Sequence, residues 1–481
     1  MLFLLFWVTY GYFFQGGGWN QNARISLTRA IIHHASFKID YYREDAEEMD
    51  FVNTGDWAFY RGHYYSNKAP GLSFLAVPFF ALAEYCLRAV IPHDAERQVL
   101  FSAYFSTVCT TAFLSALLAL LIFHVFHHFF QLSTRDAFVL TLFYGFGTIA
   151  FSYSTTFYCH QPAAFCSFLS FVLVMHVRQG TVHRKRLQVL LAGFCAASAV
   201  LFEPSALLLL VAVFTYLVWC KETRKYFPLF LLGCVPPGIV QCAYNSICFG
   251  HPLASSYNYA NDVVMWKVEG RLFGVPSPKR ILQLLFSPYR GLFVSSPILL
   301  MSLTGIVFSF KAKRCRAEVM LCSGAALLFL LFIGSFYAWH GGSAIGPRYL
   351  LPVFPFIFFL TVFSFRHYPA TVTVLGIISL LVNFAVTLVG NEIPRTVGNP
   401  LRDVIWRNLL EGGVSINPVP FSNFAAYPNI YELAQVGSWP LNSNSFNLGE
   451  MLFPHTITSV VPLLCFWIVW GVWWRKNLLR P

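Results

Sequence analysis

Apolar runs of about 20 residues, the length a helix needs to span a bilayer, recur along this chain and leave little room for any fold but a bundle of membrane helices. They lie near residues 1–14, 72–91, 99–128, 137–153, 161–177, 187–201, 205–219, 227–248, 293–310, 318–337, 349–365, 370–390 and 457–474. Only 11% of the residues are charged, against roughly a quarter in soluble domains. The expected fold class is an all-α polytopic membrane protein with about 12–13 hydrophobic helices. The opening run lacks the basic start and small-residue cleavage site of a signal peptide. It reads as a first span, although fourteen residues are short for a crossing.

The formal charge of +12 points toward nucleic acid, yet most Lys and Arg sit in short loops between apolar runs, where they set orientation. No nucleic-acid partner is expected. Of the twelve cysteines, Cys109, Cys166, Cys195, Cys234, Cys242, Cys322 and Cys465 lie inside apolar runs. Without a Cys-x-x-Cys spacing they read as small core residues, neither zinc ligands nor a redox pair.

The basic loops Arg178 to Arg186, Lys221 to Lys225 and Lys311 to Arg316, with the tail from Arg475, belong in the cytoplasm. Residues 249–291, 338–348 and 391–456 then fall on the outer face. Toward the N-terminus the count conflicts. With Ser133 to Asp136 cytoplasmic, residues 92–98 and the 15–70 loop both lie outside, so 72–91 has to dip in and return, or the first segment does not cross. Pro78, Glu84 and Arg88 favour an irregular or re-entrant 72–91. The chain divides into a transmembrane module (1–390) with outer loops 15–70 and 249–291, an extracytoplasmic loop or small cap (391–456), and a last helix with a basic tail (457–481).

The 15–70 loop concentrates chemistry. It carries Arg24, Asp40, the acidic run Glu44 to Asp50, Asp56, His63, Tyr65 and Lys68. On the same face fall His160, Glu203 before a proline, Arg290, His340 and Arg348. Ionisable groups at membrane depth are costly and are usually kept for function, so this convergence marks the candidate site. Each residue also has a plainer reading: Asp56 a turn residue, Asp40 the start of a solvated turn, Lys68 a snorkelling anchor, Glu203 a helix cap, the histidines interfacial hydrogen bonders. Arg290 and Arg348 stand away from the basic loops, which argues against simple anchoring. Glu44 to Asp50 reads as a solvated face.

Thr54-Gly55-Asp56-Trp57, followed by Tyr65-Ser66-Asn67-Lys68-Ala69-Pro70, resembles the first outer loop of the lipid-linked sugar transferases of the GT-C superfamily. That group includes protein O-mannosyltransferases and the aminoarabinose transferases that modify lipid A. Arg24 matches the arginine of the family's Asp-Glu-x-Arg motif, and Pro347-Arg348-Tyr349 with Ser287 to Leu292 resembles a bacterial branch. The motif-level likeness is confined to residues 20–70. It implies a GT-C-like fold in a bacterial inner (plasma) membrane, an extracytoplasmic site, a polyprenyl-phosphate-linked sugar as donor, and a glycan, lipid or protein as acceptor. The family's acid falls on Gln21 here and its neighbour on Asn22, so a base has to come from elsewhere, with Asp56 and Asp40 as candidates. No metal is assigned, and the divalent metal of some relatives stays open. Lys68 or Arg348 would hold the leaving phosphate, the latter bidentately. Two other classes remain: a lipid or oligosaccharide transporter, against which the absence of an internal repeat speaks, and a non-catalytic assembly subunit, which Gln21 keeps open.

Overall fold

The computed structural model describes residues 1–42, 54–261, 267–268, 271–309, 315–414, 444–453 and 456–478. The acidic run Glu44 to Asp50, Trp266, residues 311–314 of one basic loop and most of the 391–456 stretch lie outside the described residues. Helices dominate: α1 (Leu2–Gly11), α2 (Trp19–His34), α3 (Gly71–Val90), α4 (Ala95–Phe129), α5 (Thr134–Gly145), α6 (Ala150–Ser154), α7 (His160–Gln179), α8 (Lys185–Phe202), α9 (Pro204–Trp219), α10 (Phe227–Phe249), α11 (Pro278–Phe286), α12 (Pro297–Ser309), α13 (Arg316–Ser335), α14 (Arg348–Phe365), α15 (Pro369–Val389) and α16 (Val461–Leu478). Among the described residues nine helices are long and apolar enough to cross a membrane, so the chain is an all-α polytopic membrane protein.

Burial follows the demands of a lipid solvent. In the stretch Arg224–Phe249 only 17% of the apolar window is buried, and Leu231, Leu232, Ile239 and Ile247 face outward. Such a surface is stable only against hydrocarbon. Helix α14 is the opposite case: 89% of its window is buried, with Phe354, Phe356 and Phe358 at the centre of the largest core cluster. Small residues set the closest crossings. A Cβ on Gly193 of α8 would stand 1.9 Å from the Phe230 carbonyl oxygen of α10, and one on Gly233 would stand 2.0 Å from that of Leu190.

The structure corrects the reading of 72–91. Residues 71–90 form one unbroken helix with Pro78 inside it. Leu72, Ala76 and Phe80 of α3 share a core with Val99, Leu100 and Ala103 of α4. Helix α4 is 35 residues long, roughly 52 Å at 1.5 Å per residue, against about 30 Å of hydrocarbon. Thr111, in a wide turn of that helix, donates to the Tyr158 carbonyl at the site end of the bundle. Phe130, just past the helix, receives Arg366 at the opposite end. Only the later part of α4 therefore runs the length of the bundle. Its first part and α3 pair at the site end as regular helices, with Leu82 and Val90 of α3 facing outward. An α3 lying at the outer surface of the bilayer would remove the parity conflict without a re-entrant segment.

Strands are few. β1 (Phe13–Gly16) pairs antiparallel with β4 (Asn444–Asn447), and β2 (Trp57–Tyr60) with β3 (His63–Ser66). The first pair ties the start of the chain to the segment before α16, and Gln15 adds bonds to the Thr387 carbonyl and the Asn391 amide. The second projects from the 15–70 loop and is latched to the 249–291 loop by Asn261 N–H on the Trp57 carbonyl and Ser256 Oγ on the Asn67 carbonyl.

Candidate active site

The β2–β3 hairpin creates the first ion pair. Its register places Trp57 opposite Ser66, which brings the flanking residues Asp56 and Lys68 together. Lys68 Nζ lies 3.0 Å from Asp56 Oδ2, and Asn67 Nδ2 lies 3.5 Å from Asp56 Oδ1. Thr54 donates to the Trp19 carbonyl and accepts from the Asp56 amide. Gly55 lies so close to the Trp19 ring that an added Cβ would stand 2.1 Å from it. The Thr-Gly-Asp run is thus a turn moulded on the first residue of α2. Burial pushes the Lys68 amine below its ordinary pKa, while Asp56 works to keep it charged.

Arg24, on α2, faces the same space. It donates to Asn20 Oδ1 (3.2 Å), the Ala69 carbonyl (2.9 Å) and Cys159 Sγ (2.9 Å). Cys159 Sγ and His160 Nδ1 both lie 3.1 Å from Glu203 Oε2. Glu203 reaches them because α8 ends at Phe202 and Pro204 starts α9, so the intervening residue takes an extended conformation. Burial alone would raise the Glu203 pKa. The His160 imidazole and the Arg24 guanidinium outweigh it and hold the carboxyl at about 2.

A third group stands where α14 begins and α15 ends. Arg348 Nη1 donates to the Tyr158 hydroxyl at 2.7 Å, and that hydroxyl donates to Glu392 Oε1. The same oxygen lies 3.4 Å from Gln21 Nε2, and Gln21 Oε1 accepts from the Gly18 amide. Glu392 keeps only 7% of its surface exposed. Burial raises its pKa, with the Arg348 charge and the Tyr158 hydrogen bond opposing and Asp56 reinforcing the shift.

Arg290 lies beside this group and holds backbone. Its guanidinium donates to the carbonyls of His340, Tyr289 and Gly342 at 2.9–3.0 Å. The Gly342 amide donates to His340 Nδ1, and burial with the neighbouring arginines pushes the His340 imidazole down to about 4. Arg290 and His340 therefore brace the loop on which Arg348 leans, where a Gly341 Cβ would stand 3.1 Å from Arg348 Nε.

Of the residues singled out in the sequence, the structure brings together Arg24, Asp56, Lys68, His160, Glu203 and Arg348, with Arg290 and His340 as the brace. It leaves out the rest. Asp40 accepts from the Tyr64 amide (2.8 Å) and lies 3.2 Å from His63 Nδ1, and His63 sits at the tip of the hairpin, paired with Tyr60. Strand geometry puts that tip roughly 13 Å from the Asp56 end. Tyr65 points into an apolar cluster with Leu27, Ile39 and Phe249. Sequence reasoning missed Glu392, Tyr158 and Cys159 as site residues. Glu392 did carry a signal, since it is an acid just past the end of a long apolar helix, as Glu203 is.

Cys159, His160 and Glu203 offer three ligand atoms within 4.8 Å of one another. Arg24 already occupies the thiol, and Lys68 lies in the same field. Residues that hold a guanidinium against the cluster do not fit a divalent cation as well, so no step is routed through a metal.

No family model and no curated protein matches the sequence. Among solved structures, the oligosaccharyltransferase of Archaeoglobus fulgidus, in its apo form, is similar over 82% of this chain and 54% of that one, with a TM-score of 0.39 and 12% identity. The chain thus matches about half the length of that protein. A likeness this loose leaves the functional reading to the site itself.

Proposed function

We propose that this chain is a membrane glycosyltransferase that moves a sugar from a polyprenyl-phosphate donor to an extracytoplasmic acceptor, a glycan, lipid or protein, with inversion. The observation that carries the reading is the convergence of Arg24, Lys68 and Arg348 with Asp56, Glu203 and Glu392 at one end of the bundle, opposite the basic loops. A transporter would carry its ionisable groups along a path through the bundle. Here the Arg24, Asp56, Lys68, Glu203, Arg348 and Glu392 set gathers at one end, and the Glu318–Arg178 pair stands at the other, with no chain of such groups between them among the described residues.

Each group has a part. The donor's phosphate leaves as an anion and needs cations already in place, because preorganised charges in a dry site act far more strongly than in water. Lys68 suits this: an arriving phosphate favours the ammonium form that burial opposes. Arg348 supplies a second, planar donor. Asp56 keeps the Lys68 amine aimed at the cluster, while Asp40, at the other end of the hairpin, stands outside the chemistry.

The test uses purified protein with polyprenyl-phosphate mannose, glucose and aminoarabinose, and undecaprenyl phosphate as the binding probe. Lys68→Ala is expected to weaken binding of undecaprenyl phosphate at least tenfold, and Lys68→Arg to recover part of it. Unchanged binding in Lys68→Ala would leave Lys68 as an anchor at the membrane edge and remove the phosphate role.

A further inference from the structure

We propose that Glu392 is the general base of the transfer, held in place by Gln21 and Tyr158 and aimed through its Oε2 atom at the acceptor hydroxyl. This rests on the glycosyl-transfer reading above and adds the residue that receives the proton. Single displacement at an anomeric carbon needs such a group close to the incoming hydroxyl.

Elimination leads to Glu392. Both oxygens of Asp56 are engaged, Oδ2 by Lys68 and Oδ1 by Asn67. Glu203 Oε2 is shared by Cys159 and His160, and a carboxylate held at about 2 is a poor proton acceptor. Asp40 is fixed to His63 and the Tyr64 amide at the hairpin tip. Glu203 likewise keeps an unbonded Oε1 among the described residues, but its carboxyl is held at about 2; Glu392 joins an unbonded oxygen to a raised proton affinity. Its Oε1 takes both neighbours, the Tyr158 hydroxyl and the Gln21 amide, and Oε2 carries no bond among the described residues.

The surroundings keep that oxygen where it is. Gly18 lies against the carboxyl, and a Cβ there would come within 2.8 Å of Oε1 and 3.0 Å of Oε2. Gln21 occupies the next turn of α2 and donates to the carboxylate, a role an acid at that position could not fill without repelling it. Five ionisable groups face Glu392: Arg348, Tyr158, Asp56, Arg290 and Tyr153. The net effect of burial and these neighbours raises its proton affinity, which brings the base nearer to working pH and strengthens it.

The step balances. The acceptor oxygen forms a bond to the anomeric carbon while the bond from that carbon to the phosphate oxygen breaks. The released electron pair stays on the phosphate, facing Lys68 and Arg348. The acceptor's proton passes to Glu392 Oε2 and is returned to solvent before the next turnover. Products are the glycoside and polyprenyl phosphate.

Glu392→Gln keeps an oxygen that accepts from Tyr158 and removes only the basicity. Single-turnover transfer should fall by about 100-fold or more, with binding of undecaprenyl phosphate and the melting temperature retained. The acidic limb of the kcat/KM profile, which a purely structural residue would not move, should disappear. In the exchange variant Gln21→Glu/Glu392→Gln the pair is reversed and one carboxylate stays at the same place. Its rate should rise at least tenfold above Glu392→Gln alone. Gly18→Ala, which displaces the carboxyl without altering its charge, should slow transfer in the same way. Wild-type turnover in Glu392→Gln, with Asp56→Asn inactive, moves the base to Asp56 and overturns the proposal while the transfer reading stands. A wild-type protein that moves no sugar from any of the three donors removes the transfer reading, and this proposal with it.

Discussion

Glu203 shows how one residue can be both a hinge and a charge. It sits where two helices break at a proline, and His160, Arg24 and Cys159 pay for its burial. The folded pKa lies below the ordinary glutamate value, so the stabilisation is present in full above about pH 4.5 and is lost as pH falls toward about 2. Thermal melts of wild type and Glu203→Gln are expected to differ most at pH 7, and the gap should shrink to roughly half by pH 3. A gap independent of pH over that range would mean that the carboxylate is not held ionised. Glu203 was legible in the sequence because a lone acid between two apolar runs has few uses. Glu392 has the same character, but its importance depends on Gln21 and Tyr158 standing beside it, and neither is near it in the chain. Asp40 shows the reverse case. It is close in sequence to the rest of the loop motif, yet its bonds to the Tyr64 amide and to His63 hold it at the tip of the β2–β3 hairpin, away from the Asp56–Lys68 pair.

Helices α3 and α4 carry the lesson at the level of elements. Hydropathy finds apolar length and says nothing of which apolar helix lies beside the bilayer and which lies above it. The α3 run has the composition of a span, but its contacts place it along the first part of α4. Cysteines introduced at His93 and Glu96, in the connection between the two, are expected to react with an impermeant reagent from outside. Cysteines at Thr181 and His183 should react only after the membrane is opened. Protection of the first pair would return 71–90 to the bilayer and reopen the parity conflict. The basic loops were readable as orientation signals, whereas the two wide turns in α4 had no local mark that the sequence reading used.

Across the whole molecule, the end remote from the site is fastened by its own buried charge. Glu318 is fully buried at the start of α13 and accepts from Arg178 at the end of α7 (2.5 Å) and from Tyr216 of α9 (2.7 Å). Three helices are pinned at one carboxylate. Glu318→Ala leaves Arg178 without its partner and Tyr216 without an acceptor, and should lower stability by about 1–3 kcal/mol. Glu318→Gln, which still accepts from Tyr216, should cost less. Equal loss in both variants would point to packing and not to charge as the fastener. The general architecture was visible in the apolar runs because lipid demands helices. The clamp and the site were not, because each is assembled from residues far apart in the chain.

The pairing of β1 with β4 bears on how such a protein is made. Tyr12 donates to the Ser459 carbonyl, a separation of 447 residues, and Phe13 to Gly16 find their strand partner only at Asn444 to Asn447. At roughly 5–20 residues per second, the opening strand waits on the order of tens of seconds after its synthesis before its partner leaves the ribosome. Gln15, which reaches Thr387 and Asn391, waits almost as long. During that interval the growing protein lacks Glu392 and its bonds to Tyr158 and Gln21. If Glu392 is the base proposed above, a nascent chain stalled before residue 390 would have most of its bundle made and no transfer chemistry, and activity would arrive only near the completion of translation.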